Sequence, residues 1–286
     1  MQNTITPNEW RQLGTYIPYR GQQIFLRQEP SSKPFLLLIH GFPTASWDWA
    51  PLWSELQQHY SLIAPDMIGF GFSDKPTNYT YSIFDQADIH AAVLRELGVK
   101  KVHILAHDYG VTVAQELLAR QLENKNEFDI ERVVFLNGGL FPETHQPQPI
   151  QKLLASPLGP IIGLLMSKKS LTRTFHNIFG PNTPPSDEEM THFWELVTYN
   201  KGKRVIPKLI SYMAERRANR ERWVGALQKT ATPLRLINGC LDPISGRHLA
   251  ERYQFLVPNP DVALLEDIGH YPQVEAPERV LAAFFK

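Results

Sequence analysis

One cysteine, Cys240, is the only thiol among 286 residues, which excludes an intrachain disulfide and fits a reducing compartment. Excess charge is lacking too. The 29 Lys and Arg balance 29 Asp and Glu, so no bulk positive field draws nucleic acid or anionic lipid. No apolar run is long enough for a membrane span, and the greasiest stretch, Leu158 to Met166, is broken by Gly159, Pro160 and Gly163. The opening Met1-Gln2-Asn3-Thr4 has neither the basic nor the apolar part of a secretory leader. Metal-ligand clusters, phosphate-cradling loops and internal repeats are missing. Gly69-Phe70-Gly71 follows a predicted strand but lacks the third glycine of a dinucleotide fingerprint, so no cofactor is expected. What is present is 43% apolar and 20% charged residues, enough for a sizeable core. The chain is expected to be a soluble, cytoplasmic protein with one large core, or a core carrying an insertion.

Two short segments around Gly21, between Trp10 and Gln28, predict an opening β-hairpin. Phe35 to Ile39 is a continuous apolar run, the mark of a strand buried on both faces. Strands are likewise predicted at Ser61–Ala64, Val102–Ala106, Val133–Leu136, Leu234–Asn238 and Val262–Glu266. Helical patterns lie between them: Trp49, Leu52, Trp53 and Leu56; Ile89, Ala92, Val93 and Leu97 after a Ser82/Asp85 start signal; Tyr109–Arg120; Ser245–Phe255; and a last helix after Pro277. The alternation predicts an α/β core with right-handed crossovers. The rhythm breaks near Pro142, where residues 142 to 160 hold five prolines, and it resumes only at Pro233. The predicted division is a core at 1–141 and 232–286 with a helical insertion at 142–231.

The segment Ala106-His107-Asp108-Tyr109-Gly110 joins a strand to a helix with small residues at both ends. A sharp strand-to-helix bend demands small flanks, because side chains there would strike neighbouring backbone, and it thrusts the central residue out above the sheet. That residue is Asp108, a carboxylate already ionised at neutral pH and able to attack carbon without a base. Asp capping a helix N-terminus is the plainer role for the same residue. Asp242 and His270 each follow a later strand, giving the chain order nucleophile, acid, histidine. In His40-Gly41-Phe42-Pro43, the N–H of Phe42 would join that of Tyr109 in an oxyanion hole, with His40 structural.

These motifs, with Asp66-Met67-Ile68-Gly69-Phe70-Gly71-Phe72-Ser73-Asp74, resemble the α/β-hydrolases with an aspartate nucleophile, the epoxide hydrolases and haloalkane dehalogenases. A closer likeness is to the mesoderm-specific transcript family and its bacterial relatives. It is carried by Val113 to Leu118, Asn137 to His145 and Arg222 to Leu227. The resemblance implies an eight-stranded, mostly parallel sheet with a helical cap and an active site between them. It also implies a covalent ester on Asp108 that His270, steered by Asp242, hydrolyses. Some dehalogenases carry the acid after an earlier strand. Here Asn137 stands there, and it cannot be an anion.

The leaving group is left open between classes. Dehalogenases use side-chain N–H donors after the nucleophile and after His-Gly, where this chain has Tyr109 and Phe42; Trp194 or Trp223 would have to substitute. Epoxide hydrolases use cap tyrosines, whose pKa of about 10 suits proton donation to an alkoxide. Tyr212 and Tyr199 are the candidates, and the first half of the cap has no tyrosine. Tyr109 could also turn its hydroxyl toward the substrate. Epoxide hydrolysis therefore leads, ahead of dehalogenation or ester and lactone hydrolysis. A ligand-binding protein that kept the fold without turnover is a reading from another class. The expected partners are a small apolar organic substrate and water, the apolar patch at Leu158–Met166 being either cap packing or an entrance. The cluster Arg216, Arg217, Arg220 and Arg222 reads as a solvated helix face.

Overall fold

A computed structural model describes residues 5–286; the opening tetrapeptide lies outside the described residues. Eight strands form one sheet: β1 (Thr15–Tyr19), β2 (Gln22–Glu29), β3 (Phe35–Ile39), β4 (Ser61–Pro65), β5 (Lys101–Asp108), β6 (Asp129–Gly138), β7 (Leu234–Gly239) and β8 (Asp261–Leu265). Their order is β1-β2-β4-β3-β5-β6-β7-β8, with β2 antiparallel to both neighbours and every later pairing parallel. Strand β3 is covered on both faces, which is why its sequence shows no polar alternation. The chain reverses direction across the sheet between β3 and β5. A crevice opens beyond their carboxyl ends, where open parallel sheets bind ligands.

The amino-terminal helix α1 (Pro7–Gln12) starts at a capping box, Thr6 with Glu9, so Trp10 is helical and buried where the sequence suggested the hairpin's approach. Next come α2 (Ala50–Leu56), α3 (Ile83–Glu96) and α4 (Tyr109–Leu122). Helix α3 begins where the sequence predicts: the Ser82 hydroxyl accepts from the Asp85 N–H at 3.1 Å. Asp66 ties two loops together through its carboxylate, accepting from the backbone N–H of Ser46 (2.7 Å) and of Phe72 (2.6 Å).

Between β6 and β7 run α5 (Pro149–Leu154), α6 (Gly159–Leu165), α7 (Lys168–Ile178), α8 (Asp187–Thr198), a 3₁₀ segment at Tyr199–Arg204, α9 (Ile206–Leu209), α10 (Tyr212–Ala218) and α11 (Arg220–Lys229). Helix α11 packs along α4: Trp223 donates its indole N–H to Glu116 (2.8 Å), and Gln115 donates to the Trp223 carbonyl. It is therefore the crossover helix leading back into the sheet. It lies within the predicted insertion at 142–231. After β7 come α12 (Arg247–Leu256), α13 (Pro272–Glu275) and α14 (Pro277–Phe284), closing the sheet's flank.

Candidate active site

Strand β5 carries the bend. Asp108 sits at φ 44° and ψ −104°, a left-handed conformation that costs roughly 1–3 kcal/mol and persists only where surroundings enforce it. Gly110 is one enforcement, since a Cβ there would lie 2.4 Å from the Ile39 carbonyl oxygen. The Asp108 carboxylate caps none of the N–H groups of α4. Instead its Oδ2 accepts from the Phe42 N–H at 2.9 Å, while Oδ1 lies 3.8 Å from Nε2 of His270. Among the described residues, only the Phe42 member of the expected oxyanion pair reaches that carboxylate.

His270 follows β8, and its Nδ1 is 2.7 Å from Oδ2 of Asp242, which follows β7. The imidazole is buried, which works against a charge. The charge and hydrogen bond of Asp242, with the charge of Asp108, outweigh burial and raise its pKa to about 9. Burial likewise opposes ionisation of Asp242. His270, the Ser245 hydroxyl and the Ile244 N–H overcome it and hold that carboxyl at about 2. Asn137 lines no part of the cavity: it accepts from the Gly239 N–H (2.7 Å) and donates to Asp242 (3.0 Å), so it fixes the acid's loop. His40 is buried, paired with Gly41 and Met67, and burial pulls its pKa to about 4, as befits a structural imidazole.

Asp108, Phe42 and His270 form the floor of a cavity of about 410 Å³, walled largely by Ile150, Gln151 and Phe175 of the cap and their neighbours. Tyr212 is fully buried beside this floor, its ring 5.1 Å from that of Tyr109 and 6.0 Å from that of Phe42. Its hydroxyl accepts from Nε2 of Gln151 at 3.2 Å. Burial, then the charge of Asp108, push the Tyr212 phenol above its usual pKa, while Arg216 opposes them. Tyr109 is buried in aromatic packing with Phe70 and Tyr212, and neither tyrosine lines the cavity; Tyr212 is linked to it through Gln151, which does. Tyr199 packs on Phe72 and Arg11, and Trp194 lies under Lys203; both are away from the cavity.

Two residues that the sequence did not single out for the site stand beside it. Arg216 is 2% exposed, which overturns the solvated-face expectation for it; Arg220 and Arg222 are half-buried in ion pairs with Glu143 and with Glu116 and Glu123. Its Nε donates to the Thr112 hydroxyl (2.7 Å), its Nη2 donates to the Asp108 carbonyl (3.0 Å), and its guanidinium lies 4.4 Å over the Tyr212 ring. Gly139 makes room, because a Cβ there would meet Nη1 at 2.1 Å. The signal was helical phase: Arg216 is four residues after Tyr212 and shares its face. Gln151 left no such signal, since Gln148 is not a usual capping residue; in the structure the Gln148 N–H donates to the Gln151 Oε1 at 2.8 Å. That bond orients the amide with Nε2 toward Tyr212.

The family model described as the alpha/beta hydrolase family matches residues 36–283. The mesoderm-specific transcript homolog protein of Bos taurus is 41% identical over 97% of this chain and 86% of its own length. The putative hydrolase LipZ of Mycobacterium tuberculosis is 39% identical over 94% of this chain and 93% of its own. A solved epoxide hydrolase, CorEH, superposes with a TM-score of 0.76 over 95% of this chain and 96% of that one; at 21% identity the likeness is one of fold. Haloalkane dehalogenases also stand among the relatives and the solved folds. The strained bend, the order of acid and histidine around it, and these matches together make the chain a member of the alpha/beta hydrolase family, with the hydrolase chemistry that the family carries.

Proposed function

We propose that this hydrolase opens epoxides through an ester on Asp108 and hydrolyses that ester to a diol. The supporting observation is the division of labour within one carboxylate: Oδ2 is held by the Phe42 N–H while Oδ1 lies 3.8 Å from Nε2 of His270, both residues lining the cavity. Oδ1 attacks an epoxide carbon and the carbon–oxygen bond of the ring breaks. Oδ2 becomes the ester carbonyl, already on its donor.

Attack abolishes the negative charge of Asp108. That charge raises the pKa of both Tyr212 and His270, so the same step makes Tyr212 a better acid and lets His270 shed its proton. An oxygen seated between Tyr212 and Gln151 takes an O–H from one and an N–H from the other. The phenol protonates the nascent alkoxide, and the proton released by His270 restores the balance. Neutral His270, held by Asp242, then draws a proton from water as it attacks the ester carbonyl. The tetrahedral oxyanion falls on the Phe42 N–H. On collapse the bond to the substrate oxygen breaks and that oxygen takes the proton left on the water-derived oxygen, giving the diol, the Asp108 carboxylate and protonated His270 as at the start.

Halide release is less well served. Neither Phe42 nor Tyr109 carries a side-chain N–H, the Trp223 indole is engaged by Glu116, and Trp194 lies off the cavity, which leaves the Gln151 amide as a side-chain N–H able to face a halide. The test replaces His270 with Ala, so that the ester accumulates, and weighs the intact protein after exposure to epoxides, haloalkanes and lactones. A mass increase equal to the whole epoxide, mapped to Asp108, is the expected result. An alkyl adduct lacking halide would instead assign dehalogenation. An Asp108→Ala enzyme that turns over the wild-type substrate equally well would remove the nucleophile from the mechanism.

A further inference from the structure

The net charge of zero conceals an uneven distribution. From Thr144 to Ser186, and again from Leu196 to Ala214, the chain has no aspartate or glutamate. Those two stretches contain Lys152, Lys168, Lys169, Arg173, Lys201, Lys203, Arg204 and Lys208. They are neighbours in space, because Gly159 and Gly163 of α6 face Pro207, and Gly163 also faces the Lys203 carbonyl. Lys152, Lys169, Arg173, Lys201 and Arg204 are exposed, and none of the five has a salt-bridge partner among the described residues. The nearby carboxylates are gathered on α8, as Asp187, Glu188, Glu189 and Glu195.

Between these cations the chain exposes large aliphatic side chains. Leu158, Ile161, Leu164 and Leu165 are 56%, 57%, 55% and 74% exposed, and Leu153 adds to them from α5. On α6 the glycines turn inward and the leucines outward, so the patch is the outer face of that helix. The Leu158–Met166 stretch is thus only in part the cap packing that its sequence suggested. A patch of this kind on a protein surface marks an interaction site. The cavity reaches solvent along the same segment, since exposed Ser167, Lys169, Ser170 and Arg173 line it beside Leu154 and Met166.

We propose that this outer face of α5 and α6, ringed by cations, seats the enzyme on an anionic phospholipid bilayer, with the cavity mouth turned to the lipid. Aliphatic side chains flanked by Lys and Arg are the pattern that inserts to the depth of the acyl boundary while the cations meet headgroups. The observation that decides for a lipid surface over a second copy of the chain is charge complementarity: two copies would bring like-charged rims together. Substrate enters from the bilayer, so apolar molecules dissolved in lipid reach Asp108 without crossing water. The docking does not depend on the bond that Asp108 attacks.

Flotation of the full-length protein with phosphatidylcholine vesicles, with and without about one-third phosphatidylglycerol, tests this. The protein should float with the anionic vesicles and be released by high salt. Leu164→Asp together with Leu165→Asp should lower the bound fraction roughly tenfold or more, and Lys201→Glu with Arg204→Glu should do so similarly, since each cation near the surface contributes substantially. None of these four lines the cavity, so turnover of a water-soluble substrate checks that each variant is folded. Wild-type protein that stays with neither vesicle, or variants that float as well as wild type, would overturn the proposal. So would a dimer in light scattering that the leucine variant dissolves while no vesicle is bound.

Discussion

The sheet and the cap close over one cavity, yet they hold their side chains by opposite means. On the sheet side the backbone does the positioning. Asp108 is raised by a strained bend, and Phe42 contributes an N–H whatever its side chain. On the cap side, short helices reach inward with long side chains: Arg216 to the Asp108 carbonyl, and Gln151 to the Tyr212 hydroxyl. In the proposed mechanism the sheet fixes where attack occurs. The cap, in this scheme, decides what happens to the oxygen that leaves.

The largest effect that would sharpen this contrast comes from Tyr212→Phe. Loss of a general acid typically costs 10²–10⁴-fold. The variant should form the Asp108 adduct from epoxides roughly a hundredfold or more slowly, measured by quenched-flow mass spectrometry on the His270→Ala background. Its thermal midpoint should fall modestly, because Phe fills the same volume but leaves the Gln151 amide without its acceptor. An unchanged rate of adduct formation would leave the cap with packing alone.

Arg216 blurs the division, because it is a cap residue doing the sheet's work. Arg216→Met removes the bond to the Asp108 carbonyl and the cation over the Tyr212 face. Tyr212 then loses the one nearby charge that favours its phenolate. Turnover number should fall about tenfold, with the limb governed by the phenol displaced to higher pH, and KM should change less. Arg216→Lys keeps the charge but not the planar stack or the two-armed bonding, so it should restore only part of the rate. A variant with reduced stability but an unshifted pH–rate profile would make Arg216 purely structural.

What could be read beforehand follows the same line. The strands, the Ser82 cap of α3 and the bend at Asp108 each leave a local trace: an apolar run, a hydroxyl three residues before an acid, small residues on either side of a turn. The order of Asp242 and His270 was equally legible, because each follows a strand. Arg216 was not, since burial of one arginine among Arg216, Arg217, Arg220 and Arg222 depends on which helix face lands over the elbow. The placing of Tyr199 and Trp194 was hidden for the same reason: their residue types suit the chemistry, but where the cap turns them is a tertiary matter. The place of α11 on α4 is also a tertiary fact, carried by Trp223 and Glu116 across 107 positions.

The smallest effect compares two neighbouring imidazoles, His107 and His270, whose ring centres are 5.1 Å apart. Burial, reinforced by the His270 charge, depresses His107 to about 3, whereas the two carboxylates around His270 raise it to about 9. The signs differ accordingly. An unfolded histidine titrates at 6.5, so His107 contributes stability above that pH and loses it as pH falls toward its folded value; buried His40 and His90, depressed by burial to about 4, behave alike. His270 is opposite: its contribution is full below 6.5 and disappears as pH rises through about 9. Among these histidines, His107, His40 and His90 therefore lower the urea midpoint as pH falls below 6.5, and His270 lowers it as pH rises from 6.5 to about 9. His107→Gln should remove one proton's worth of the acid slope, about 1.4 kcal/mol per pH unit, and leave the alkaline limb alone. His270→Gln should flatten the alkaline limb, and it should also shallow the acid one, because it removes the charge that helps depress His107 and the partner that holds Asp242 at about 2. If His107→Gln flattened the alkaline limb, or His270→Gln left it unchanged, the carboxylates would not be what separates these two histidines.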